Sequence, residues 1–218
     1  MSARTILTTA TGTNIDLRDP AAADIDFAWV AEHLAKEKRY NGATAGREYS
    51  VAEHSVRCAD AALRFTRDRT LAAYLLVHDG HEATLKDDTT PKKNALAEAA
   101  SDFGILREQI LEAFARLTDR HDVAIHQAAG LPWPPSPGLQ REIKRFDLIL
   151  FVTEWRDLMN GAQHPAWEPY RAIEPLAETI EPMPWKPACT LFLQRCRELL
   201  PALRLSSLQQ SIERSGSA

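Results

Sequence analysis

The stretch Leu71-Ala-Ala-Tyr-Leu-Leu-Val-His78-Asp79-Gly-His81-Glu82 is apolar for seven residues and then abruptly polar. Apolar side chains on nearly every face mark a helix at the centre of a fold, and the spacing predicts this helix over residues 71–85. A carboxylate that follows so much hydrocarbon costs roughly several kcal/mol to bury unpaired. Asp79 therefore needs a cationic partner. His54, in Tyr49-Ser-Val-Ala-Glu-His54-Ser, and Asp147, in Ile143-Lys-Arg-Phe-Asp147-Leu-Ile-Leu-Phe-Val, stand in the same difficulty. Imidazole nitrogens with carboxylate oxygens suit a divalent first-row metal that keeps positions open for water and substrate. One ion shared by His54, His78, Asp79 and Asp147 is the simplest common partner. For Asp147 the rival is an ion pair with Arg57 or Arg145.

The flanking chain reads as further helices. Ser50-Val-Ala-Glu53 is a capping-box pattern, in which the serine accepts a backbone N–H and the glutamate reaches back to the cap; a helix starts near Val51 and carries His54 in its first turn. Upstream, Ile25, Trp29, Val30 and His33 share a helical face with Asp24 or Asp26 as cap, and Arg39-Tyr-Asn-Gly-Ala-Thr-Ala-Gly46 is a loop. The β-branched opening from Thr5 to Leu17, with a turn at Thr11-Gly12, predicts a short hairpin. Downstream, Asp87-Asp-Thr-Thr-Pro91 breaks the pattern, a helix over 94–117 is weakened at Gly104, and Gly130-Leu-Pro-Trp-Pro-Pro-Ser-Pro-Gly138 is a loop. In a helix over 136–159, Ile143, Phe146, Asp147, Leu150 and Glu154 form one stripe, which turns Asp147 toward the core. A proline-rich span over 165–187 precedes a last helix over 188–203 and a polar tail from Ser206.

The expected fold class is thus all-α, a helical bundle with a short N-terminal β-hairpin. It is read as one domain over 1–218, divided into a hairpin (1–20), a catalytic helical core (24–160), the proline-rich span with the C-terminal helix (161–205) and a flexible tail (206–218). At 218 residues, 44% hydrophobic and 26% charged, the chain has the composition of a soluble globular protein. A net charge of −4 argues against a broad grip on duplex nucleic acid or anionic membrane. No apolar run reaches the ~18 residues of a membrane span and the N-terminus lacks a signal-peptide core, so a cytoplasmic location is expected. Cys58, Cys189 and Cys196 form no C-x-x-C pair and read as small buried residues. His121-Asp122 repeats the dipeptide of the central helix but follows Thr118-Asp-Arg, with no apolar run before it, and reads as a solvated helix start. His33, His126 and His164 read as structural.

The order His54, His78-Asp79, Asp147 resembles the HD-domain metal-dependent phosphohydrolases over about residues 5–160. It is closest to the bacterial deoxynucleoside 5′-monophosphatase and phage deoxynucleoside triphosphate hydrolase branch, through Arg39-Tyr-Asn-Gly, Tyr49-Ser-Val-Ala-Glu-His54-Ser, His78-Asp-Gly-His-Glu82 and Thr153-Glu-Trp-Arg-Asp-Leu-Met159. The resemblance implies that His54, His78, Asp79 and Asp147 bind one divalent ion (Mn, Co, Zn, Fe or Mg). Glu82 matches the catalytic acidic residue, Asp87 the family's aspartate after the His-Asp helix, and Arg39 a phosphate-binding arginine; Lys93 fits the segment that follows. Asp88-Thr89 and Lys92 depart from the family pattern, as does His81, where small residues are common. Tyr40, His81 and Trp133 are candidates for selecting the base or sugar. Relatives of this type are commonly dimers or larger.

The expected activity is hydrolysis of a nucleotide phosphoester, with a deoxynucleoside 5′-monophosphate as substrate. A divalent ion lowers the pKa of bound water toward neutrality, Arg39 and Lys93 neutralise phosphate oxygens, and Glu82, on the same rim as His78 and Asp79, transfers a proton. The alternative is a deoxynucleoside triphosphate triphosphohydrolase that adds Lys86, Lys92 and Arg47. A second is a non-catalytic helical domain with a structural metal.

Overall fold

The computed structural model of the chain describes residues 3–160 and 165–203. Among them are eight α-helices and one antiparallel hairpin, β1 (Ile6–Thr8) with β2 (Asn14–Asp16), in the register Leu7 opposite Ile15. The expected mostly helical class with an N-terminal hairpin is what forms. His164 and the tail from Ser206 lie outside the described residues.

Helix α1 (Phe27–Lys36) starts where Asp26 accepts the Ala28 N–H at 2.8 Å, and buries Trp29 and Val30. Ser50 caps α2 (Val51–Thr66) by accepting the Glu53 N–H. The second half of the expected capping box does not form. Glu53 instead holds Arg57, one turn on, and the Met183 N–H at 3.0 Å, clamping the proline-rich span onto α2. Asp68 caps α3 (Arg69–Val77), which buries every residue from Leu71 to Val77. Helices α2 and α3 pack extensively against each other, and α8 (Trp185–Leu199) packs against α1, α2 and α3. Helix α8 begins a turn earlier than expected because Pro187 falls in its first turn, where a missing N–H breaks no bond.

Two further expectations are corrected. The central helix does not run unbroken over 71–85: it stops at Val77, the chain makes a tight turn over residues 78–81, and α4 (Glu82–Leu85) follows. The turn is fitted to a glycine at position 80, where a Cβ would stand 2.9 Å from the Val77 carbonyl oxygen and 3.0 Å from Ile125 Cγ2. We expect Gly80→Ala to cost about 1–3 kcal/mol by overpacking, read as a fall in Tm of about 2–4 °C per kcal/mol; an unchanged Tm would show that Ile125 and its neighbours can yield.

Secondly, His121 and Asp122 are not a solvated helix start. Helix α5 (Thr90–Ala99), a 3-10 turn ending at Phe103, and α6 (Arg107–Ala129) divide the next segment at Gly104, and α6 runs past both residues. His121, Asp122, Ile125 and Ala129 form its buried stripe. The charged Thr118-Asp-Arg lies before the stripe begins, so neighbours in sequence misreported the burial. Ser136 caps α7 (Pro137–Leu158), with Pro137 in the first position.

Candidate metal centre

Four elements converge at one end of the α2–α3 pair. His54 comes from the first turn of α2, His78 and Asp79 from the tight turn that follows α3, Asp147 and Glu154 from α7, two helical turns apart, and Arg39 and Tyr40 from a 3-10 turn, Arg39–Gly42. Tyr40 and Asn41 both hold positive φ (58° and 52°), a left-handed turn that non-glycine residues adopt at some cost.

The two imidazoles are oriented alike. His54 donates Nδ1–H to Glu154 Oε1 at 2.5 Å, and His78 donates Nδ1–H to the Leu75 carbonyl at 2.7 Å. Each Nε2 is therefore left as an acceptor, and the two stand 3.4 Å apart. Two acceptors gain no bond from each other, and a cation between them would satisfy both. His54 Nε2 is also 3.7 Å from Asp79 Oδ2 and 3.5 Å from Asp147 Oδ1; His78 Nε2 is 3.3 Å and 3.9 Å from the same oxygens. Bonds of about 2.1 Å to one ion place neighbouring donor atoms about 3.0–3.4 Å apart, so this spacing is near what a shared ion requires. Cys58 Sγ, one turn after His54, lies 3.5 Å from its Nε2, and His54, Cys58 and His78 form a compact group able to hold a metal ion.

The electrostatics match. Burial alone would raise the carboxyl of Asp79, but His78, His54 and Arg39 hold it below its ordinary value; burial is likewise outweighed at Asp147, by His54, His78 and Lys144. Burial and Arg39 oppose a charge on His54, yet Cys58, Glu154 and Asp147 raise its pKa above the ordinary imidazole range. Asp147 pairs with Lys144 at 2.7 Å, while the rivals are engaged elsewhere: Arg57 with Glu53 and Arg145 with Glu142.

Arg39 bridges inner and outer carboxylates, with Nε 3.2 Å from Glu154 Oε2 and Nη1 3.3 Å from Asp79 Oδ2. Tyr40 donates its hydroxyl to Glu154 at 2.7 Å, which gives it an anchoring place rather than a stacking one. Glu82 stands beside this ring with Oε2 buried and without a hydrogen-bond partner. Burial, Asp79 and Asp87 push its pKa well up; Asp87 is itself raised by burial and by Asp79. His81 is turned to the other side, where its Nδ1–H meets Asp122 Oδ1 at 3.0 Å, and Lys93, from α5, is near enough to oppose its charge. Trp133 bonds Asp119 and stacks near His126.

Glu154 and Cys58 are the functional candidates that the sequence reading did not single out. Glu154 is fully buried and joins His54, Arg39 and Tyr40; its position seven residues after Asp147, two helical turns on the same face, was the available signal. We expect Glu154→Gln to weaken metal binding about 10–100-fold, as loss of an outer partner that fixes a histidine ligand does. A chelator-competition titration would check this, and unchanged affinity would remove Glu154 from the centre.

Among the described residues no helix is long and apolar enough to cross a membrane. No protein-family model matches the chain. It is similar to an uncharacterized protein of Rhodobacter capsulatus, 34% identical over 142 residues, which cover 63% of this chain and 65% of that protein.

Proposed function

We propose that the chain is an HD-type metal-dependent phosphohydrolase that releases phosphate from a deoxynucleoside 5′-monophosphate. The observation that carries the reading is the pair of imidazoles with both Nε2 atoms turned to one point, flanked by Asp79 and Asp147. The residues fit the group the resemblance implies: His54, His78, Asp79 and Asp147 would hold it. A divalent ion, here Mn, Co, Zn, Fe or Mg, would supply charge neutralisation and acidify water at the site.

The protein's own groups would do the rest. Arg39, held in place by Glu154 and Asp79, offers further N–H donors to non-bridging phosphate oxygens as charge develops. Glu82, with one oxygen unpaired in a nearly closed site, is positioned to carry a proton to the departing 5′-oxygen. The nucleotide class rests on the sequence resemblance. The cations a triphosphate would call on are directed elsewhere: Lys86 to Glu37 at 3.1 Å, Lys92 to Asp88, and Arg47 to the Pro182 carbonyl at 3.4 Å. That favours the monophosphate.

The test is a product assay with deoxynucleoside mono- and triphosphates and added manganese or cobalt. Orthophosphate from the monophosphates is the expected result. Inorganic triphosphate from the triphosphates would replace this reading with the alternative, and no turnover by metal-loaded protein would leave a structural metal.

A further inference from the structure

Cys58 has no role in the reaction proposed above, yet its sulfur is part of the same constellation. It lies four residues after His54, so the two side chains leave α2 on one face, one turn apart. The side chain is fully buried, and Sγ is 3.5 Å from His54 Nε2, the atom already facing His78 and both aspartates. The donor atoms of His54, Cys58 and His78 all lie within 4.8 Å of one another. A metal–sulfur bond of about 2.3 Å and a metal–nitrogen bond of about 2.1 Å place the two donors about 3.1–3.6 Å apart, depending on the angle at the metal. The observed separation falls inside that range.

We propose that Cys58 is a further ligand of the metal centre, recruited as thiolate, and that it makes the site select a thiophilic ion such as Zn(II) or Co(II) over Mg(II) and Mn(II). This inference rests on the metal-dependent reading of the same residues. Thiolate is a soft donor that these ions take and that Mg(II) does not. Coordination exchanges the S–H bond for an S–metal bond, and the proton passes to the solvent. A hard ion that cannot displace it would bind through nitrogen and oxygen alone, with Cys58 remaining a neutral neighbour. The identity of this side chain would thereby set which metal fills the site, while the two imidazoles and two carboxylates remain as general-purpose ligands.

The experiment uses the full chain, stripped by a chelator and titrated with cobalt chloride, followed by its near-ultraviolet spectrum. A thiolate-to-cobalt charge-transfer band saturating at one equivalent, with release of a proton to an indicator, is the expected result. Cys58→Ser and Cys58→Ala should keep one cobalt and its weaker visible bands but lose the charge-transfer band. Their zinc affinity should fall about 10–100-fold, while manganese affinity changes less than about twofold. One bound cobalt without the charge-transfer band in the unaltered protein would overturn the role of Cys58 and leave the metal-dependent reading standing. An unchanged ratio of zinc to manganese affinity in both variants would do the same. No cobalt uptake at all would overturn both. A band that survives in Cys189→Ser/Cys196→Ser, which leaves Cys58 as the one thiol, decides even if neither Cys58 variant folds.

Discussion

Asp79→Ala should lose both the bound metal and all measurable turnover. Its carboxylate is 3.3 Å from His78 Nε2 and 3.7 Å from His54 Nε2, and it also receives Arg39 at 3.3 Å. One substitution therefore removes a proposed ligand and the anion that fixes the proposed phosphate-binding cation. An outer partner such as Glu154 is worth about 10–100-fold in affinity, and a ligand that also positions Arg39 should exceed that. Metal content by elemental analysis and phosphate release from a deoxynucleoside monophosphate should fall together in Asp79→Ala. Full metal with full rate would refute the assignment. Asp79→Asn supplies the acid-stability check. A carboxyl whose folded pKa is held below the unfolded value of 3.8 contributes stability that is fully present above about pH 4 and lost as pH falls through the lower folded value. Acidification below pH 4 should therefore destabilise the unaltered metal-free chain more steeply than Asp79→Asn.

The parts of this centre that were legible in the sequence are those whose local surroundings betray them. Asp79 follows seven apolar residues, and burial there forces a partner; Asp147 falls on the apolar stripe of α7; Ser50 and Asp26 cap helices because their side chains reach N–H groups two or three residues on. What stayed hidden depends on contacts across the chain. Glu154 was visible on the stripe of Asp147, but nothing local says that it meets His54, one hundred residues away. Cys58 looks like any small core residue until α3 brings His78 beside it. Asp122 looks solvated because Asp119 and Arg120 precede it, and only its pairing with His81 from the turn after α3 shows which face of α6 is inside. Gly80 gave a signal that the periodicity overrode: an all-apolar helix seemed to continue, yet the close approach of Ile125 demands a residue without Cβ. The candidate site is legible from burial of charge, and the residues around it are not, because long-range pairing has no fixed spacing.

Glu82→Gln separates catalysis from metal binding. The side chain is nearly isosteric, so the ion should remain at full stoichiometry, while kcat should fall about 10²–10⁴-fold, the usual contribution of a positioned proton donor or acceptor. The pH behaviour gives the sign. Burial, Asp79 and Asp87 raise the Glu82 carboxyl well above 4.5, so the folded chain holds a proton that the unfolded chain has released. Stability must then decline as pH rises from the unfolded value through the folded one, and the buried, unpartnered Oε2 is where that cost resides. Glutamine cannot ionise, so metal-free Glu82→Gln should match the unaltered chain at acid pH and become the more stable of the two as pH rises. If Glu82 donates the proton to the departing oxygen, the unaltered chain should also lose rate as pH rises through its pKa in the loaded site, and that alkaline limb should vanish in the variant. Loss of the metal with the substitution would make Glu82 a ligand instead of an acid. Retention of the full rate would place the proton transfer on another group of the rim, with Asp87, raised for the same reasons, the first to substitute by asparagine.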